Sequence, residues 1–97
     1  MEIKWSRPAL DPLDKALNFI TEKGYPSYAD ELEEKILARV ENLVNNHDIY
    51  PADKYKKAND GTYHAFEVDE YRISYRVQNT FIKIIRIRHT SRKTRAY

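Results

Sequence analysis

The residues able to do chemistry gather at one end of this chain. Arg72 and Arg76 stand in the run YRISYRV, Arg86 and Arg88 in FIKIIRIRH, and His89, Ser91, Arg92, Lys93, Arg95 and Tyr97 follow. The arginines fall on even positions of two strand-like runs, so each run presents them on one side. A guanidinium offers a fork of donors that suits phosphate, an imidazole titrates near neutrality, and a phenol can stack or share a proton. From Lys83 onward there are six cations and no acidic side chain, which makes this end attractive to polyanions. The plainer account is that long side chains cover apolar neighbours and a sheet edge, with Glu67 paired to Arg72 across two strands.

Other chemistries find little support. His47, His64 and His89 show no metal-ligand spacing, and no metal or other cofactor is expected. Ser91 near His89 has no nucleophile elbow and no obvious orienting acid. The absence of cysteine removes disulfides, thiolate nucleophiles and cysteine-based zinc sites, and suits a reducing compartment.

The 97 residues, 41% hydrophobic and 33% charged, predict one small domain spanning 1–97 with one modest core. No apolar run approaches the roughly 20 residues that span a bilayer, and MEIKWSRP has no apolar signal segment, so the expected location is cytoplasmic, without membrane partners. The net charge of +2 conceals an asymmetry. Residues 1–53 carry 6 Lys/Arg against 11 Asp/Glu, and residues 54–97 carry 11 against 4, which reads as a basic face on an acidic scaffold.

The elements that must position these groups can be read from periodicity. Ile3 and Trp5 alternate with polar neighbours and suit a short first strand. Leu13, Ala16, Leu17 and Ile20 have helical spacing, with either Asp11-Pro12 or Ser6 as the start, and Gly24-Tyr25-Pro26 as the stop. Ser27 to Asp30 resembles a capping box for a second helix whose stripe is Leu32, Ile36, Val40 and Leu43, ending near Asn45-Asn46. Residues 47–62 have no clean period and read as a long surface connection closing in a turn at Asn59-Asp60-Gly61. Tyr63–Val68, Tyr71–Val77 and Phe81–His89 read as three strands. The fold class is therefore α+β: a short amino-terminal strand and a two-helix hairpin packed on a twisted antiparallel sheet that ends in a three-strand meander.

Register decides which side chains share a face. A tight turn at Asp69-Glu70 pairs Glu67 with Arg72, Phe66 with Ile73 and His64 with Tyr75, placing Tyr63, Ala65 and Glu67 on the arginine side. A three-residue loop at Gln78-Asn79-Thr80 pairs Val77 with Phe81, Ile73 with Ile85 and Arg72 with Arg86. That alignment sends Ile82, Ile84, Arg86 and Arg88 to the arginine side and leaves Lys83 stranded on the apolar one. Facing arginines repel unless an anion or carboxylate lies between them, so the alignment calls for a counter-charge. Tyr25, Tyr28, Tyr50, Tyr55 and Tyr63 read as rim packing or a protein footprint.

The order strand, two helices, three-strand meander, with EIKWS near the start, EYRISYRV in the middle and IRIRHTSR near the end, resembles the RelE/ParE toxin superfamily of type II toxin–antitoxin modules, to which plasmid stabilisation proteins belong. The likeness covers nearly the whole chain. It implies a toxin held inactive by a cognate antitoxin, which covers the basic hollow. RelE-like members cut messenger RNA in the ribosome without a metal, whereas ParE-like members poison DNA gyrase and are not enzymes. For an mRNA endonuclease, the resemblance implies Arg72, His89, Arg92 and Tyr97 as catalytic groups: Arg72 on the scissile phosphate, Arg92 stabilising the transition state, His89 as acid or base, and Tyr97 stacking or sharing a proton. Tyr63, Glu67, Arg76, Arg86, Arg88, Lys93 and Arg95 would then contact substrate. Against that reading, the strand before Arg72 lacks the family's basic residues, and Arg72 should weaken Glu67 as a base. The gyrase reading is the alternative; a nucleic-acid-binding module without toxicity is a third.

Overall fold

The computed structural model describes residues 1–97 in six elements: β1 (Glu2–Trp5), α1 (Arg7–Glu22), α2 (Pro26–Asn46), β2 (Tyr63–Val68), β3 (Tyr71–Val77) and β4 (Phe81–His89). The strands form one sheet in the order β1-β4-β3-β2. The meander is antiparallel as expected, while β1 joins β4 in parallel, so the sheet is mixed. No helix is long and apolar enough to cross a membrane.

Both helices lie on one face of the sheet and close the core there. Leu32, Ile36, Val40 and Leu43 are buried along α2 at the spacing of a single stripe, and Ala9 and Leu13 along α1. They meet Phe66, Val68, Ile73, Tyr75, Ile82, Ile84 and Ile87 from the sheet. Tyr75 is fully buried and satisfies its hydroxyl by donating to the His47 carbonyl at 2.7 Å, which ties the end of α2 to β3. Of the two candidate starts for α1, the structure takes Ser6, leaving Pro12 inside the helix. The expected capping box of α2 does not form: the helix begins at Pro26, whose ring presets the first turn, and Tyr25 occupies the cap position without a side-chain bond. Between the helices, Gly24 takes φ 97°, a conformation that glycine adopts without strain.

The β2–β3 register is the expected one, with Glu67 opposite Arg72 and His64 opposite Tyr75. The β3–β4 register is not. Val77 pairs with Ile82 and Tyr75 with Ile84, but Ser74 pairs with Arg86 and Arg72 with Arg88, because a bulge interrupts β4 at Ile85. The extra residue explains the stranded lysine. Ile82 and Ile84 enter the core, Lys83 moves to the arginine side opposite Arg76, and Ile85 leaves the core pattern. Arg86 consequently faces Ser74 instead of Arg72.

The 47–62 connection also departs from a simple surface loop. Ala52 bridges to His64, the Tyr50 ring stacks on Phe66 at 4.7 Å, and Asp53 is 2% exposed. The turn at its end is as expected: the Asn59 carboxamide oxygen accepts from the Gly61 and Tyr63 amides at 2.9 and 3.2 Å.

Candidate functional site

On the sheet face away from the helices, a buried carboxylate organises the arginines. Asp53 is delivered there by the return of the connection along β2, where its amide donates to the Tyr63 carbonyl at 2.9 Å. Its Oδ1 accepts from Arg72 Nη2 at 2.9 Å and from the Tyr55 amide at 3.1 Å, and its Oδ2 accepts from the Tyr97 hydroxyl at 2.7 Å. Burial alone would raise the Asp53 carboxyl, but the bonds from Tyr97, Arg72 and the Tyr55 amide outweigh it and hold the group below its ordinary range. The same pocket pushes the Tyr97 phenol up to about 12, through burial first and its bond to Asp53 second. Arg72 is further held by Glu67 at 3.5 Å and by the Tyr55 ring, 4.9 Å from its guanidinium carbon.

The segment after β4 folds back over this face. The Tyr97 amide donates to the Tyr55 carbonyl at 2.9 Å, and the Tyr97 carbonyl accepts from the Lys57 amide at 2.6 Å. Arg86 lies against the Tyr97 ring, with its guanidinium carbon 3.9 Å from the centroid, and Nη2 donates to the Arg95 carbonyl at 2.7 Å. Arg86 is 7% exposed, and that burial lowers its pKa from the usual arginine value. Between β4 and the returning segment lies a hollow of about 450 Å³ bounded by Arg86, Arg88, Arg92, Lys93 and Arg95, with no apolar or acidic side chain in its wall.

The residues singled out in the sequence thus separate into distinct surroundings. Arg72 and Tyr97 meet at Asp53, flanked by Glu67 and by Tyr63, whose ring stands edge-on to that of Tyr97 at 6.3 Å. Arg86, Arg88, Arg92, Lys93 and Arg95 line the hollow. Arg76 is elsewhere, bonded to Thr62 at 3.1 Å and paired with Asp60 at 3.5 Å. His89 is opposite Tyr71 on the other face of β4, with Nδ1 at 2.6 Å from Ser91 Oγ and Nε2 at 3.3 Å from Glu70. The single cationic pocket expected from all four strand arginines is therefore divided, because Arg72 is neutralised from below and Arg76 from the Asp60 turn.

Sequence reasoning missed Asp53. The signal was electrostatic: the arginine face called for a carboxylate, and Asp53 is an acid immediately preceding Lys54, Lys56 and Lys57 in a connection that had to pass nearby. Of the tyrosines expected at a rim or footprint, Tyr25 and Tyr28 are exposed, whereas Tyr50 and Tyr55 pack on Phe66 and Arg72.

Comparison with known proteins agrees with this architecture. Among solved structures, the chain is similar to one described as the chromosomal ParDE TA system from P. aeruginosa, with 22% sequence identity, a TM-score of 0.67, and coverage of 92% of this chain and 95% of that one. At that identity the likeness speaks for the fold. No curated protein matches the chain. The family model described as the ParE toxin of the type II toxin–antitoxin system parDE matches residues 3–94, and the chain belongs to that family, as the toxin of a module whose other component is its cognate antitoxin.

Proposed function

We propose that this toxin acts as a ParE-type poison of DNA gyrase and not as a messenger RNA nuclease. The observation that carries the reading is the engagement of Arg72 and Tyr97 by the buried Asp53. A nuclease built on the resemblance needs the guanidinium free for a scissile phosphate and the phenol free for a base or a proton. Here both are directed inward at the same carboxylate, and a phenol pushed up to about 12 gives up its proton poorly at neutral pH. His89, the remaining acid or base, projects from the opposite face of β4. The groups are thus arranged as structural supports for a basic surface, which suits binding to a protein–DNA assembly. Membership in a toxin family also favours this reading over a binding module without toxicity.

The test is a pair of assays on the purified toxin. Supercoiled plasmid with gyrase and ATP is expected to accumulate linear DNA that is absent without gyrase, while messenger RNA on programmed ribosomes stays whole. Ribosome-dependent cuts in the messenger, abolished by Arg72→Ala, would overturn the proposal.

A further inference from the structure

We infer that the hollow bounded by Arg86, Arg88, Arg92, Lys93 and Arg95 binds the phosphodiester backbone of DNA, and that Tyr97 is the positioning residue that holds its outer wall in place. The inference deepens the gyrase reading, since it makes DNA within the gyrase complex a direct contact of the toxin.

Five cations converge on one hollow, and no carboxylate enters its wall to balance them. The Asp53 carboxylate is engaged instead by Arg72, Tyr55 and Tyr97. Like charges gathered in this way are unfavourable without an anion between them. The anion must be recognised by charge and guanidinium geometry alone, because the wall offers no apolar side chain. An acidic peptide ordinarily gains affinity from apolar anchors seated in pockets. A phosphodiester backbone needs none, and its regular negative charge matches a row of guanidinium forks. A hollow of this kind neutralises phosphates without reaching base edges, so binding should show little sequence preference.

The hollow is also preorganised. Arg86 at its floor is fixed by the Arg95 carbonyl and the Tyr97 ring. Its outer wall, Arg92 to Arg95, hangs between the end of β4 and Tyr97, which is anchored through its hydroxyl to Asp53 and through its backbone to Tyr55 and Lys57. Loss of the hydroxyl loosens that wall without removing a charge.

The test measures binding of the full chain to a labelled short DNA duplex by fluorescence anisotropy over a range of salt. The parent is expected to bind with an affinity that falls linearly in log–log form. Arg92→Ala, Lys93→Ala and Arg95→Ala combined, all at exposed side chains, are expected to weaken binding at least tenfold at low salt and to flatten the slope by about 0.9 for each phosphate no longer neutralised. Lys15→Ala with Lys23→Ala, on the helical side, should leave the affinity within about twofold. Tyr97→Phe keeps the net charge and should still weaken binding severalfold with a flatter slope. No binding at low salt, a combined variant indistinguishable from the helical control, a duplex displaced preferentially by single-stranded RNA of the same sequence, or capture of an acidic peptide in place of DNA would each overturn the inference. An unchanged slope in Tyr97→Phe would overturn the positioning role. Since binding is read without gyrase, its failure leaves the gyrase reading standing, and a failed gyrase assay leaves the binding result standing.

Discussion

Asp53 shows how one side chain can set the character of a surface. Its carboxylate has almost no contact with water, yet it holds a guanidinium, a phenol and a backbone amide at once. Hydrogen bonds to a buried charge are among the stronger contributions to stability, and replacement leaves Arg72 largely desolvated with Glu67 as its one carboxylate partner. Asp53→Asn is expected to cost about 2–3 kcal/mol at neutral pH, measured by urea unfolding. The same variant should change the acid limb. A carboxyl depressed on folding contributes stability that is complete above its unfolded pKa of about 3.9 and is lost as pH falls through the lower folded value. The parent should therefore lose stability steadily below about pH 4, and Asp53→Asn should lose less over the same interval. A parent and variant with parallel acid limbs would show that Asp53 carries no linked proton. Nothing in the aperiodic stretch around Pro51 marked this residue as buried. What the sequence did contain was the excess of arginine that required a carboxylate, so the need was legible and the supplier was not.

At the level of elements, the bulge in β4 does more than correct a register. A residue outside the ladder frees its carbonyl, and the Ile85 carbonyl accepts from Ser6 Oγ at 2.7 Å while the Ser6 amide donates to the Ile84 carbonyl at 3.1 Å. Ser6 is thereby anchored between the end of β1 and the first turn of α1, and its carbonyl accepts from the Leu10 amide at 2.9 Å. This explains why α1 starts at Ser6 and runs on through Asp11-Pro12, the other start that the sequence offers. A tertiary bond across the sheet outweighs a local cap. Ser6→Ala is expected to cost about 1 kcal/mol by urea unfolding, more than the same change at an exposed cap without a partner strand. A cost near zero would place the start of α1 under the control of Pro8 alone. Helix faces and the β2–β3 pairing were legible because each follows from a clean period and a two-residue turn. The bulge was not, since an inserted residue preserves hydrophobicity on both sides of it. Its one trace was Lys83, which no regular register places away from the core without sending Arg86 and Arg88 into it.

Over the whole molecule, the acidic helices lie on one side of the sheet, and the strand arginines with the returning segment lie on the other. The returning segment closes this arrangement by joining residues far apart in sequence, through Tyr97 to Asp53, Tyr55 and Lys57. A stretch that follows the last strand of a small domain ordinarily frays, and its amides exchange almost as in a free peptide. Here the Lys57 and Tyr97 amides should exchange slower than free peptide on the order of a hundredfold, because both are bonded across the closure and open only when it releases. Tyr97→Phe provides the control within the same fold. It should abolish protection at Lys57 and Tyr97 together, since one hydroxyl anchors both bonds, while leaving Ile73 and Ile84 in the centre of the sheet protected as before. Loss at Tyr97 with protection retained at Lys57 would mean that the connection holds itself against the sheet without the returning segment. In that case the basic wall would move independently of the carboxylate beneath it.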